Sequence, residues 1–104
     1  MTTLKEVQDE VSRQIIRDYG ERNALHVSTC MMLGLTEEAG EVAGLMKRVY
    51  RGFDKDKERA TRENFIDEMG DVLWYLAACC ATQSTSLEEI WEHNIQKLKA
   101  RYGE

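Results

Sequence analysis

Hydrophobic residues recur along much of this chain at intervals of three and four, the spacing that places them on one face of an α-helix. The first such stripe consists of Leu4, Val7, Val11 and Ile15. It predicts a helix over 3–19, with Gly20 as the residue just past its C-terminus. No segment alternates apolar and polar positions as a strand does, and the chain contains no proline. The pattern therefore predicts an all-α fold.

Three further helices are predicted, over 25–50, 61–83 and 86–101. We expect the second to be broken or bent near Gly34 and to stop at Arg51-Gly52. Residues 52–60 are strongly charged and are interpreted as a loop. Ser86 has the character of an N-cap residue, and Glu89 three positions later completes a capping-box pattern.

The predicted third helix carries apolar side chains around most of its circumference. These are Phe65, Ile66, Met69, Val72, Leu73, Leu76, Cys79 and Cys80. A helix of this kind is buried between neighbours or across a subunit interface. Because 104 residues supply only a modest core, we expect one domain over 1–104 that also associates with itself.

Composition narrows the class of protein further. Hydrophobic residues make up 42 % and charged residues 32 %, as in a folded water-soluble domain. No apolar run is long enough for a membrane span, and no signal peptide is visible at the N-terminus, so a cytoplasmic location is expected. Cys30, Cys79 and Cys80 have neither disulfide nor zinc spacing and are interpreted as small core residues.

The net charge of −5 argues against nucleic acid as a partner. The charge is unevenly spread, because seven basic and three acidic side chains lie between Lys47 and Arg62. A basic stretch beside acidic clusters suits a metal and polyphosphate site, although a solvated charged loop is the better interpretation of any single residue in it.

Two acidic pairs carry the candidate chemistry. Glu38 and Glu41 are three residues apart, as are Glu68 and Asp71. Residues at this spacing are neighbours on one face of a helix, so four carboxylates converge if the two helices pack side by side. Acidic pairs on a solvated helix face are common, but both of these pairs adjoin apolar residues and each encloses a glycine, Gly40 or Gly70.

Convergence of these carboxylates is unfavourable unless a cation neutralises them. A hard divalent ion prefers carboxylate oxygens, and Mg²⁺ is the usual ion where phosphates complete its coordination shell. Glycine inside a helix is itself destabilising by up to about 1 kcal/mol relative to alanine. Its presence at matching positions in both pairs suggests that a ligand or another helix approaches closely there.

The two motifs and the tail together resemble one known family. Glu38-x-x-Glu41, 26 intervening residues and Glu68-x-x-Asp71 are similar to the signature of the MazG-like all-α nucleotide pyrophosphohydrolases. The strings over 34–43 and 67–76 and the tail over 86–102 are also similar to that family. The resemblance spans about 27–102, and the paired motif is more specific than either half.

The resemblance implies a four-helix bundle-type domain that assembles as a homodimer or a dimer of dimers, with the site partly at the subunit interface. It implies that four carboxylates hold Mg²⁺, with Mn²⁺ as a substitute: Glu38, Glu41, Glu68 and Asp71. It also implies that Asn94, Lys97 and Arg101 bind the polyphosphate. These three residues share one stripe of the predicted last helix, and cationic donors suit phosphate.

Other residues near the acidic pairs are weaker candidates. Arg48 lies seven positions after Glu41, two helical turns along the same face, and is expected to reach a phosphate. Tyr75 lies seven positions after Glu68 and is a candidate contact to the base or sugar, with Trp74 beside it. Aromatic residues at such positions are more often part of a core or an interface. Glu37 or Glu38 is the candidate general base.

The predicted reaction is Mg²⁺-dependent hydrolysis of a nucleoside triphosphate to the monophosphate and pyrophosphate, with removal of unwanted nucleotides as the cellular role. The same superfamily offers a phosphoribosyl-ATP pyrophosphatase or a dUTPase-like diphosphatase as alternatives. A non-catalytic helical interaction or regulatory module is the alternative from another class. A di-iron carboxylate bundle is set aside because neither acidic pair contains histidine.

Overall fold

The computed structural model describes residues 1–52 and 61–103, and within these ranges it contains four α-helices and no strand. The helices are α1 (Leu4–Tyr19), α2 (Ala24–Arg51), α3 (Arg62–Thr82) and α4 (Leu87–Tyr102). Each predicted helix end lies within one residue of the observed end. Of the predicted charged loop over 52–60, all but the first residue lies outside the described residues.

Side-chain caps explain where the helices begin. Thr3 and Glu6 form a reciprocal capping box at the start of α1. The Ser86 hydroxyl accepts a hydrogen bond from the Glu89 backbone N–H, as the sequence predicted for α4. At the other end of α2, Gly52 adopts the left-handed conformation (φ 79°) and its N–H donates to the Arg48 carbonyl, which confirms the predicted stop.

One detail of the helix predictions is wrong. Gly20 directly follows the last residue of α1, as predicted, with right-handed helical backbone angles (φ −54°). The predicted break at Gly34, however, is absent, since α2 is continuous from Ala24 to Arg51. Gly34 instead lies under the ring of Tyr75, as described below, and its lack of a side chain serves packing between helices.

Helix α3 is the central element of the described chain: it packs along α2 and also contacts α1 and α4. The core consists of Val11, Val27, Met31, Ala77, Ala78, Cys79, Cys80 and Leu87. Burial raises the pKa of the Cys79 and Cys80 thiols, as expected for unreactive core cysteines. Cys30 is half-buried against the same core.

A buried glutamine on α1 ties three elements together. Gln8 is only 7 % exposed. Its amide nitrogen donates to the Ala77 carbonyl at 2.9 Å, and its amide oxygen accepts from the Leu87 backbone N–H at 2.9 Å. Leu87 is the first residue of α4, where the backbone N–H has no partner within the helix. Gln8 therefore fixes α1 against both α3 and α4.

The first half of α3 is much less buried than its second half. Four long apolar side chains between residues 65 and 73 are 42–47 % exposed: Phe65, Ile66, Met69 and Leu73. The radius of gyration is 16.6 Å, against about 13 Å for a compact domain of this length. The four helices of the single chain are therefore more loosely arranged than those of a compact domain. None of the described helices is long and apolar enough to cross a membrane.

Candidate metal centre

Three of the four predicted carboxylates meet between α2 and α3. Glu38 of α2 and Glu68 and Asp71 of α3 each bring one oxygen to within 4.8 Å of the other two. Glu38 and Glu68 are half-buried, whereas Asp71 is exposed. Helices α2 and α3 pack side by side, so the two motifs meet as the spacing predicted.

The electrostatics of Glu38 reflect this convergence. Its pKa is raised above the ordinary value of 4.5, first by desolvation and then by the negative charges of Asp71, Glu68 and Glu37. Hydrogen bonding with Glu68 acts in the same direction. The three residues offer hard oxygen donors and an excess of negative charge, which is the donor chemistry that Mg²⁺ or Mn²⁺ requires.

The remaining acidic candidates lie beside this group. Among residues 1–52 and 61–103, Glu41 is not part of the set whose oxygens converge, and it is exposed. Glu37 is exposed as well, but its charge acts on both Glu38 and Tyr75, so it lies at the edge of the group. A metal role for Glu41 and a base role for Glu37 stay predictions.

The glycines inside the two acidic pairs face open space in the described part of the chain. A Cβ atom added at Gly40 or Gly70 meets no atom within 4 Å there. The expected close approach of another helix is therefore not found within the described chain. The close approach occurs at Gly34, where an added Cβ would lie 2.1 Å from Cε1 of Tyr75.

Tyr75 and Trp74 border the carboxylates on α3. Tyr75 is half-buried, and its pKa is raised by burial and then by the charges of Tyr19, Glu38, Glu37 and Asp71. Its ring meets that of Trp74 edge to face, with centroids 5.1 Å apart. Tyr75 thus lies within electrostatic reach of the acidic group, and both rings pack partly against the core.

Three of the predicted phosphate-binding residues lie on α4, and Arg48 lies on α2, the helix that carries Glu38. Lys97 and Arg101 are exposed on α4, and Asn94 is half-buried. Asn94 and Lys97 line a cavity of about 280 Å³ with Glu89, Ile90 and His93. Arg48 is half-buried on α2 and its guanidinium approaches Gly44. Phosphate binding by these four residues stays a prediction.

Two glutamines of α1 were missed by the sequence analysis. Gln8 connects three helices, as described above. Gln14 accepts a hydrogen bond from the Trp74 indole N–H at 2.8 Å. The available signal was their position, because Gln8 follows Val7 and Gln14 precedes Ile15 within or beside the apolar stripe of α1. A polar amide there requires a partner when the stripe is buried.

The fold and the site place this protein among all-α proteins in which carboxylates from two packed helices form a candidate divalent-metal site. Comparison with known families identifies the family. Residues 27–104 match the MazG nucleotide pyrophosphohydrolase domain, so the chain belongs to the MazG family. The resemblance stated from the sequence is thereby confirmed. All of α1 lies outside the matched residues, since α1 ends at Tyr19 and the match begins at residue 27.

Individual relatives are similar to most of the chain. The Gene 37 protein of Mycobacterium phage L5 is 29 % identical over 79 % of this chain and 72 % of its own length. The uncharacterized protein YpjD of Bacillus subtilis (strain 168) is 32 % identical over 95 % of this chain and 86 % of its own length. The uncharacterized protein YvdC of the same organism is 32 % identical over 65 % of this chain and 69 % of its own length. No solved structure gives a significant match.

Proposed function

We propose that this protein is a Mg²⁺-dependent pyrophosphohydrolase that converts a ribo- or deoxynucleoside triphosphate and water into the monophosphate and pyrophosphate. The observation that carries the proposal is the meeting of Glu38, Glu68 and Asp71 across two packed helices. Membership of the MazG family supports it independently, because the matching domain is described as a nucleotide pyrophosphohydrolase.

Glu38, Glu68 and Asp71 would hold the metal, and Glu41, one helical turn beyond Glu38, would join them once an ion and phosphates are bound. When bound, Mg²⁺ would neutralise phosphate charge and acidify water. The raised pKa of Glu38 supports this assignment, since a bound divalent cation would stabilise the charged carboxylate against both the desolvation and the neighbouring negative charges that raise its pKa. Mn²⁺ has the same preference for oxygen and is expected to substitute.

The chain's own residues would supply proton transfer and phosphate binding. Glu37 is exposed at the edge of the carboxylate group and would accept a proton from the attacking water, with Glu38 as the alternative base. The water oxygen would bond to the α-phosphorus while the bond from this phosphorus to the α–β bridging oxygen breaks. Lys97, Arg101 and Arg48, with Asn94, would bind the phosphates and the leaving pyrophosphate.

We also propose that the protein associates with itself as a dimer or a dimer of dimers. Phe65, Ile66, Met69 and Leu73 form one exposed apolar stripe on α3. Glu68 lies one helical turn from Phe65, at the border of this stripe. A second copy covering the stripe would lie next to Glu68 and would bring further residues towards the site. The open shape of the single chain agrees with a missing neighbour.

The cellular role that follows is removal of unwanted nucleotides in the cytoplasm.

The direct test of the proposed activity is incubation of the protein with a panel of ribo- and deoxynucleoside triphosphates, dUDP and phosphoribosyl-ATP, with Mg²⁺ or with EDTA. We expect metal-dependent formation of monophosphate and pyrophosphate from at least one triphosphate. Turnover of phosphoribosyl-ATP alone would assign the specialised enzyme, and no turnover by a folded oligomer would leave the non-catalytic module.

A further inference from the structure

Helix α1 reaches the edge of the candidate site through one hydrogen bond. The Trp74 indole N–H donates to the Gln14 amide oxygen at 2.8 Å, across 60 residues of sequence. The Gln14 amide nitrogen donates in turn to Glu10 at 3.0 Å, and Arg13 donates to the same carboxylate. Both ends of the Gln14 amide therefore have partners, which fixes the orientation of the acceptor that Trp74 uses.

Two contacts then define where the Tyr75 ring lies. On one side it meets the Trp74 ring edge to face, with an angle of 79° between the planes. On the other side it lies directly over Gly34 of α2, where a Cβ atom would come within 2.1 to 2.6 Å of three ring carbons. Only a residue without a side chain leaves room for the ring in this place. Tyr75 is thus held between α1, through Trp74, and α2.

We propose that Gln14 and Gly34 are positioning residues that set the place of the Tyr75 ring at the nucleotide-binding edge of the carboxylate group. The inference rests on the proposed function and deepens it by assigning a role to α1. Tyr75 would contact the nucleoside part of the substrate, while the carboxylates act on the phosphates. Displacement of the ring would therefore weaken substrate binding and leave the chemical step intact.

The chain provides a matched control for this role. Gln8 and Gln14 are both glutamines of α1, and both bond to α3, but Gln8 reaches Ala77 and Leu87 on the side of the core. If α1 acts only by docking onto α3, then loss of either side-chain hydrogen bond affects substrate binding alike. If Gln14 acts through Trp74 and Tyr75, only its replacement changes binding.

The experiment compares KM and kcat of wild type, Gln14→Met and Gln8→Met, with a triphosphate that the wild type hydrolyses and saturating Mg²⁺. We expect Gln14→Met to raise KM about tenfold with kcat within about twofold, because the chemical groups stay in place. Gln8→Met is expected to lower stability while KM stays within about twofold of wild type. Equal KM values for Gln14→Met and wild type, or equal increases in both variants, would overturn the proposal.

A second comparison tests the path through Tyr75. In a Tyr75→Leu background, Gln14→Met should change KM by less than about twofold, since the ring that it positions is already absent. Gly34→Ala should raise KM, because a Cβ there would overlap the Tyr75 ring. A full Gln14→Met effect in the Tyr75→Leu background would contradict the path.

These outcomes separate the two proposals. A folded wild type that hydrolyses no nucleotide removes the proposed function, and the positioning role falls with it. An active wild type whose KM does not respond to Gln14→Met or Gly34→Ala removes only the positioning role. Purified variants are first compared by circular dichroism and thermal unfolding, so that kinetic constants are taken below the unfolding transition of each protein.

Discussion

Glu38 is the carboxylate of the candidate metal site whose pKa is shifted by its surroundings. Its half-buried carboxylate lies close to those of Glu68 and Asp71, and its pKa is raised above 4.5. Near and above pH 4.5 the folded protein therefore holds more protons at this group than the unfolded chain does. The contribution of protonated Glu38 to the stability of the fold is therefore fully present below about pH 4.5 and is lost as pH rises through the raised pKa of Glu38.

The first prediction concerns Glu38→Gln. Without metal at pH 7 we expect the variant to have a higher free energy of unfolding than wild type, because a neutral amide replaces a carboxylate that is desolvated and repelled by its neighbours. The difference should shrink towards pH 4.5. Added Mg²⁺ should stabilise wild type and not the variant. Urea unfolding at both pH values, with the exposed Glu92→Gln as control, measures this; a less stable variant at pH 7 would contradict it.

A second prediction uses a carboxylate with the opposite shift. Hydrogen bonds from Arg13 and Gln14 lower the pKa of Glu10 to about 2. Its contribution to stability is therefore present above about pH 4.5 and is lost as pH falls from there towards 2. Because Glu10 is exposed, the effect should be small and should weaken with salt. In Glu10→Gln, the fall in stability between pH 4.5 and 2.5 should be shallower than in wild type; an unchanged slope would be the contrary result.

At the scale of helices, the sequence predicted most of what is observed. Apolar residues at intervals of three and four, Ser86 before α4 and Gly52 after α2 are local signals, and local signals determine where helices begin and end. Gly34 was misread for a physical reason. A glycine inside a helix costs conformational entropy, but here its missing side chain makes room for the Tyr75 ring from α3.

The site could be predicted only in part. Spacing on two helices predicted that carboxylates would meet, but not which of the four would join the converging set. Residues three apart differ by about 60° around a helix, and the packing of the helices decides whether both reach the site: Glu68 and Asp71 both do, whereas Glu41 does not. The partnership of Gln14 with Trp74 depends on how α1 docks on α3, and no local pattern encodes that contact.

The third prediction concerns the docking of α1. Gln8→Met should lower the free energy of unfolding by about 1–3 kcal/mol, because the buried Leu87 N–H loses its acceptor. The matched control is Gln96→Met on the exposed side of α4, which should stay within about 0.5 kcal/mol of wild type. Chemical denaturation of the three proteins measures the differences, and equal stability of Gln8→Met and wild type would show that the bond contributes nothing.

At the scale of the whole molecule, the fourth prediction concerns self-association. A chain of 12.0 kDa should show at least twice this mass by light scattering after size exclusion, because the apolar stripe of α3 needs cover. Ile66→Asp places a charge in the stripe and should shift the mass towards the monomer. Ile16→Asp is the control: Ile16 is exposed on α1, away from the stripe, so this variant should keep the mass of wild type. A monomeric wild type at tens of micromolar would contradict the proposed dimer.

The most direct test of the central claim is hydrolysis of a nucleoside triphosphate with Mg²⁺ in water enriched in ¹⁸O, with products separated and weighed by mass spectrometry. The account predicts monophosphate carrying one ¹⁸O and unlabelled pyrophosphate. It also predicts a fall in kcat/KM of about 100-fold or more in the combined Glu68→Gln, Asp71→Asn variant. Label in the pyrophosphate, release of diphosphate and inorganic phosphate, or full activity in that variant would contradict the account.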